Sequence, residues 1–407
     1  MATLARRPAL NPAAALVLLL GASVLLNYID RGAIGVAAPL MKSDLGLSAT
    51  AFGLAVSAFF WIYAPVQLVL GWLCDRFSVY RLLALATMLW SVSTLLMGFV
   101  GGFASLLILR LFLGLGESIA FPGCSKMIAR HVPAERRGIA NAVVGAAIAL
   151  GPAVGTLVGG SILASFGWRA MFVVFGVASA LWLMPWRAAV RGLPERERAS
   201  EPAVPVGKLI GRWSLWSMGI VHACGNYGFY FMLTWLPLYL VQQRGLTIIQ
   251  MTMLATLTYV VQGASAIALG AWSDRWTRSG RSEAAVRRGM MIVGQLVFAL
   301  CMIGIFAVHT LLGVGLLLCV AGVCNAALGI NLYAVGQMFA GPRASGTWVG
   351  IQNSVGNVSG ILGPVVSGMI IDRAGYGGAF ALTAAIIGSG ALLWAFAVPD
   401  IKQVELD

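Results

Sequence analysis

The feature that most constrains this chain is a succession of long apolar stretches with almost no charge. Of its 407 residues, 59% are hydrophobic and only 10% are charged, whereas a soluble domain has about 25% charged residues. Each helical membrane span needs roughly 20 apolar residues. A chain of this length with short connections has room for about twelve spans. We therefore predict an all-α, multi-pass membrane protein.

The predicted fold has twelve transmembrane helices in two pseudo-symmetric six-helix bundles. The run after Arg6 and Arg7 also resembles a signal peptide. It continues without a clean cleavage boundary into Asn27-Tyr-Ile-Asp-Arg31, which favours an uncleaved first span. The predicted spans are 14–38, 51–73, 81–100, 103–128, 138–163, 169–188, 213–240, 248–272, 287–307, 311–339, 346–371 and 378–398.

The connections between the spans alternate in charge. Odd-to-even connections such as Gly101-Gly102 are short and nearly uncharged, whereas even-to-odd ones such as 75–81 and 130–137 are basic. Because cytoplasmic loops carry the excess of Lys and Arg, we expect both termini to be cytoplasmic and the protein to lie in the cell (inner or plasma) membrane. The net charge of +13 reflects this topology, and we expect the lipid bilayer and no nucleic acid as a partner.

Two sequence features recur in the second half of the chain. Gly71-Trp-Leu-Cys-Asp75-Arg76 returns as Gly270-Ala-Trp-Ser-Asp274-Arg275, and Gly151-Pro152 returns as Gly363-Pro364. Such repeats are typical of carriers with a midplane site between two bundles. We predict an N-terminal bundle at 1–190, a polar, proline-containing cytoplasmic linker at 191–212, and a C-terminal bundle at 213–407.

The repeated acidic-basic loop after the second span of each half has two interpretations. The carboxylate and its arginine can form a cytoplasmic gate, since Gly allows close helix approach and a carboxylate can accept from a facing helix N-terminus. They can also simply anchor the topology. Its occurrence in both halves favours the gate, which we assign to Asp75, Arg76, Asp274 and Arg275.

Four charged residues lie inside the apolar runs. Arg110 and Glu117 are seven residues apart, so two helical turns place them on one face. Asp30 and Arg31 lie in the first span, with Arg31 at a depth similar to that of Arg110. Charges inside a bilayer are costly and face a cavity or a partner. We predict an arginine cradle for an anion above a titratable carboxylate; the alternative is an Arg–Glu pair that only fastens the first and fourth spans.

Several neutral polar residues are further candidates. Tyr63 and Gln67 share one face of the second span and could donate to a carboxylate or hydroxyl, although a membrane Tyr is also a common interface anchor. Tyr230 lies on a polar face of the seventh span. The six Cys residues form no CxxC pair and the three His are scattered, so we expect no metal, no cofactor and no disulfide framework. No catalytic motif is present, so we expect no enzyme.

These motifs resemble the anion:cation symporter family of the major facilitator superfamily. The resemblance rests on Asn27-Tyr-Ile-Asp-Arg31, on Arg110-Leu-x-x-Gly114-x-x-Glu117 and on Gly350-Ile-Gln-Asn353. It implies that Arg31 and Arg110 bind a substrate carboxylate and that Asp30 and Glu117 carry protons. It also implies that Tyr63 and Asn353 form hydrogen bonds with the rest of the substrate.

From this pattern we expect a secondary active transporter that couples a small organic anion to protons by alternating access, and that acts as a monomer. An anion exchanger or efflux carrier of the same fold is the alternative; a channel is disfavoured by the two-fold repeat. A sugar acid is a possible substrate. However, the middle of the fifth span, 142–152, has no amide or hydroxyl side chain, which favours a carboxylate with few hydroxyl groups.

Overall fold

The computed structural model describes residues 12–133, 136–191, 193 and 206–405, which form helices and no strands. Residues 192 and 194–205, most of the predicted linker, lie outside this part of the chain. The helices are α1 (Pro12–Asp44), α2 (Ala49–Arg76), α3 (Val79–Met97), α4 (Phe103–Glu117), α5 (Ala120–His131), α6 (Arg137–Leu181), α7 (Leu183–Val190), α8 (Val206–Ile210), α9 (Trp213–Thr234), α10 (Leu236–Gln242), α11 (Ile248–Arg278), α12 (Glu283–Ala307), α13 (Leu311–Gly356) and α14 (Val358–Phe396).

Within the described residues, these helices make the twelve predicted membrane crossings. Nine stretches are long and apolar enough to cross a bilayer, and two of them, Ile139–Val190 and Ala344–Phe396, are long enough to cross twice. In these two stretches the chain turns back at Gly167 and Gly375, which have φ values of 80° and 71° that only glycine adopts readily. Helices α9 and α10 together form the seventh crossing.

Proline explains the breaks within the fourth and seventh crossings. Pro122 cannot donate a backbone hydrogen bond, and its ring crowds the carbonyl group four residues earlier. That carbonyl belongs to Ser118, at the junction where α4 ends and α5 begins. Pro237 follows Leu233 by the same spacing, and the chain breaks at Trp235 between α9 and α10. The fourth span is therefore interrupted directly after Glu117.

Helices α1–α7 form the N-terminal half and α9–α14 the C-terminal half. In the first half α1 packs along α6, and α3 packs along α4 and α6; in the second, α9 and α12 both pack along α13 and α14. The halves meet mainly along two helix pairs, α2 with α14 and α6 with α11. The exact domain bounds at 190 and 213 stay a prediction.

We call the end of the molecule where α1 begins and α14 ends the terminal end, and the opposite end the distal end. Along the distal part of α2 the two halves touch through backbone. A Cβ atom on Gly53 would overlap the carbonyl oxygen of Pro364, and one on Gly368 would overlap that of Ala49. Small residues allow helices to approach this closely. We call this contact between α2 and α14 the glycine seam.

Asp372, on α14, lies beside the start of α2 at the distal end of the seam. Its Oδ1 accepts from the backbone N–H of Ala49 at 2.9 Å, and its Oδ2 accepts from both the backbone N–H and the hydroxyl of Thr50, each at 2.7 Å. A carboxylate at a helix N-terminus satisfies free N–H groups and interacts favourably with the helix dipole. The C-terminal half thus caps a helix of the N-terminal half.

Candidate functional site

The charged centre of the site lies where α1 meets α4. Nε and Nη2 of Arg31 both donate to Oε2 of Glu117, each at 3.0 Å. Nη2 also donates to Oδ1 of Asn27 at 3.1 Å, one turn earlier on α1. Arg31 is 6% exposed and Glu117 is 1% exposed. The pair therefore fastens the first span to the fourth, and Glu117 occupies the Nε and Nη2 donors of Arg31.

Aromatic rings surround the Arg31 guanidinium. Its Cζ lies 4.9 Å from the ring centroid of Tyr28, 5.1 Å from that of Phe59 and 4.7 Å from that of Tyr63. Tyr63 in turn stacks on Phe59 with the centroids 5.0 Å apart. Cation–π contacts of this kind contribute about 0.5–2 kcal/mol. They contribute to holding the guanidinium in place beside Glu117.

Arg110 makes its hydrogen bonds to α2, with no donation to Glu117. Its Nε donates to the Ala55 carbonyl oxygen at 3.3 Å, and its Nη2 donates to that of Val56 at 3.1 Å. Its Nη1 is buried and has no hydrogen-bond partner among the described residues. The Cζ of Arg110 lies 5.0 Å from the Phe59 centroid, so both arginines contact one ring. Arg110 is a cation without a carboxylate partner in the described part of the chain.

Asp30 lies apart from the arginine cradle. Its Oδ2 accepts from the Ser179 hydroxyl of α6 at 2.7 Å, while Oδ1 is buried with no hydrogen-bond partner among the described residues. Neighbours on a helix point about 100° apart, which turns Asp30 toward α6 when Arg31 faces α4. The charged residues thus form an Arg31–Glu117 pair, an Arg110 that bonds to backbone oxygens of α2, and a separate Asp30.

A layer of neutral polar groups joins the two halves on the terminal side of the charged centre. Nδ2 of Asn353 donates to Oε1 of Gln67 at 2.6 Å, and the Tyr333 hydroxyl donates to Oδ1 of Asn353 at 3.0 Å. The Tyr230 hydroxyl donates to Oδ1 of Asn357 at 2.6 Å. The sequence-based candidates Gln67, Asn353 and Tyr230 therefore lie in hydrogen-bonded groups that cross between helices.

Tyr333 is the residue of this layer that the sequence analysis did not identify. It also packs edge-to-face against His222, with centroids 5.8 Å apart. A tyrosine within the apolar run of the tenth span gives the same signal that selected Tyr63 in the second span. That signal was present in the sequence and could have identified it.

The predicted gate residues lie at the terminal end. Arg76, Asp274 and Arg275 are exposed, and the side chain of Asp75 lies outside the described part of the structure. Their role in gating stays a prediction. No group of three or more metal-binding side chains occurs among the described residues, and the six cysteines are unpaired.

Comparison with known proteins identifies the family. The model of the Major Facilitator Superfamily matches residues 20–281 and again 245–405, which together cover most of the chain. The chain belongs to the major facilitator superfamily. It is therefore a multi-pass transport protein and not an enzyme, as the sequence predicted. A solved structure of a bacterial homologue of the human lysosomal transporter Spinster has the same fold, with a TM-score of 0.79 at 19% identity, covering 94% of this chain and 96% of that one.

Curated relatives narrow the family further. A probable sulfoacetate transporter of Cupriavidus necator is 31% identical over 92% of this chain and 91% of its own length. A probable galactarate/D-glucarate transporter of Bacillus subtilis is 29% identical over 94% and 90%. A hexuronate transporter of Bacillus subtilis is 28% identical over 90% of each chain. These relatives agree with the resemblance to the anion:cation symporter family.

Proposed function

We propose that this protein is a secondary active transporter that carries a small organic anion together with protons across the cell membrane, with both termini in the cytoplasm. The observation that carries the proposal is the buried Arg31–Glu117 pair beside the unpaired Arg110. An ion pair in this location is costly to bury. It is explained if Glu117 occupies the place that a substrate carboxylate takes during transport. The relatives named for sulfoacetate and sugar acids support an anionic substrate.

The substrate anion would bind first to Nη1 of Arg110. Nη1 of Arg110 is buried and unpaired among the described residues, and a guanidinium can bind a carboxylate through two parallel hydrogen bonds. An anion at Arg110 also lies near Arg31, because both guanidiniums contact the Phe59 ring. The substrate then competes with Glu117 for the two donors of Arg31. Loss of those two hydrogen bonds leaves the Glu117 carboxylate buried without a counter-ion.

Proton coupling follows from that partner exchange. A buried carboxylate without a positive partner is strongly destabilised, so a proton binds to it. The substrate anion and the proton therefore bind with positive coupling, and the occluded site has a smaller net charge to carry through the bilayer. Asp30, which has one hydrogen-bond partner and one buried free oxygen, is the second proposed proton carrier.

The neutral layer would bind the remainder of the substrate. Gln67, Asn353 and Tyr230 carry amide and hydroxyl groups that bond between helices, and Tyr63 lies against Arg31. Because Gln67 is in the N-terminal half and Asn353 in the C-terminal half, a substrate that bonds to both would join the halves around itself. We propose alternating access by rocking of these two halves, with the glycine seam closing the distal side.

Uptake into proteoliposomes tests the proposal. The purified protein is reconstituted, a pH gradient is imposed, and accumulation of radiolabelled sulfoacetate, glucarate and hexuronate is measured. We expect gradient-driven accumulation of at least one organic anion. Glu117→Gln should abolish accumulation above equilibrium while leaving substrate exchange across the membrane intact. Glu283→Gln is the matched control, since Glu283 forms a partly exposed pair with Arg287 far from the site.

Two outcomes would contradict the proposal. If Glu117→Gln accumulates the anion as the unchanged protein does, Glu117 carries no coupled proton. If counterflow proceeds at full rate but no pH gradient drives accumulation, the protein is an exchanger and not a proton symporter.

A further inference from the structure

A groove on the outer surface of the C-terminal half is separate from the transport site. It lies between α11, α12 and α13 near the terminal end and has a volume of about 680 Å³. Its walls are apolar and face outward: Val293, Val320 and Trp272 are 60%, 41% and 48% exposed. The groove follows α12 from Ala285 to Val297, about 18 Å of helix. Half of a bilayer hydrocarbon core is about 15 Å thick, so the groove matches one leaflet in depth.

The mouth of the groove at the terminal end carries an unpaired cation. Arg281 and Ser282 line it, and no carboxylate of the described residues lies within ion-pair distance of Arg281. The acid next along the chain, Glu283, pairs with Arg287 at 2.7 Å. Arg275 and Arg278 at the end of α11 are both exposed and add positive charge nearby.

Trp276 contacts Arg281 and is itself packed against Trp272. Its Cζ lies 4.9 Å from the Trp276 ring centroid, and Trp276 packs on Trp272 with centroids 4.2 Å apart. Tryptophan is enriched at the boundary between lipid headgroups and hydrocarbon. The guanidinium is therefore held at headgroup level, directly beside an apolar channel that runs toward the bilayer centre.

We propose that this groove binds one anionic phospholipid, with its phosphate-containing headgroup on Arg281 and one acyl chain along α12. An apolar groove alone accepts any lipid tail. Arg281, which has no carboxylate partner among the described residues, adds charge complementarity that selects an anionic headgroup, since a basic side chain near the membrane surface attracts anionic lipid. Gly289 forms part of the floor, and a Cβ added there would meet open space.

Native mass spectrometry of the purified full-length protein tests the site. The protein is titrated with phosphatidylglycerol or phosphatidylcholine of the same acyl composition, and bound lipids are counted. We expect one phosphatidylglycerol to bind more tightly than phosphatidylcholine, and Arg281→Ala to weaken it about fivefold. Arg278→Ala is the matched control, with the same charge change outside the groove, and should change binding less than twofold.

Two further arms separate the headgroup from the chain. Gly289→Leu fills the groove without changing charge and should also weaken phosphatidylglycerol binding. Glycerol 3-phosphate, which lacks a chain, should not displace the lipid. Equal binding of both lipids, equal losses in Arg281→Ala and Arg278→Ala, unchanged binding in Gly289→Leu, or displacement by glycerol 3-phosphate would each overturn the proposal.

Discussion

Asp372 provides a direct test of how the distal side closes. Its carboxylate accepts three hydrogen bonds from the first residues of α2. These bonds exist only while the two halves are in contact at the distal end, because α2 and α14 belong to different halves. Removing the carboxylate should therefore destabilise the distal-closed arrangement relative to the distal-open one, with little effect on the fold of either half.

The size of the effect follows from the geometry. Loss of a helix N-cap costs about 0.5–2 kcal/mol. Asp372 is exposed, so solvent screening places the Asp372→Ala change near the middle of that range, at about 1 kcal/mol. Since 1.36 kcal/mol corresponds to a factor of ten, the ratio of distal-open to distal-closed protein should rise about fivefold. Asp372→Asn keeps an acceptor oxygen and should shift the ratio less.

Distance measurements between spin labels can detect this shift. Labels on cysteines introduced at Ser43 and Ala374, both exposed at the distal end in opposite halves, would report distal opening in a background without the six native cysteines. We expect Asp372→Ala to enlarge the long-distance population, and the matched control Arg373→Ala to leave it unchanged. An unchanged distribution in Asp372→Ala, or an equal shift in Arg373→Ala, would refute the reasoning.

Three further predictions concern the site, the seam and stability. Arg110→Lys should raise the substrate Kd about tenfold or more, because a hydrogen bond to a charged group contributes about 1.5–3 kcal/mol and an ammonium lacks the planar fork of a guanidinium. Binding calorimetry checks this, with Arg169→Lys at an exposed position as the control. Unchanged affinity in Arg110→Lys would remove Arg110 from the cradle. Gly53→Ala should slow transport strongly, since its Cβ would overlap the Pro364 carbonyl oxygen. Gly388→Ala is the control, because a Cβ there meets only Ala299 at 3.8 Å. Equal uptake rates for the two variants would count against a role of the glycine seam in transport. Arg244→Ala should lower the thermal unfolding temperature relative to Gln243→Ala, because Arg244 donates to Tyr239 Oη and the Ile305 carbonyl oxygen, each at 2.6 Å. Matching unfolding curves for the two variants would show that these hydrogen bonds do not stabilise the fold.

The sequence predicts the twelve crossings because the bilayer requires a long hydrophobic run in each span, whatever tertiary contacts that span makes. The residues at which the helices end are harder to predict from hydrophobicity. The first span was predicted to end at 38, whereas α1 continues to Asp44, since a helix can extend beyond the hydrocarbon core into water. The division of the fourth span after Glu117 follows from Pro122, whereas hydrophobicity alone predicts one continuous span.

The candidate site shows a similar limit. Hydrophobicity identifies Asp30, Arg31, Arg110 and Glu117 because charge is rare inside apolar runs. Their partners depend on how each helix is rotated about its own axis, and hydrophobicity alone does not predict that rotation. The pairing of Asp30 with Ser179, and that of Arg110 with backbone oxygens of α2, required the packed structure.

The glycine seam has a consequence for redesign of the carrier. The contacts at Gly53 and Gly368 are between backbone atoms of α2 and α14, so their closure does not depend on which side chains recognise the cargo. The charged side chains of the central site lie on α1 and α4, and Asn353 and Tyr333 lie on α13, so they do not contribute to that backbone contact. If the neutral layer binds the cargo as proposed, residues such as Asn353 or Tyr333 can be exchanged while the glycine seam stays intact. The proposed recognition residues and the glycine seam therefore lie mostly on different helices.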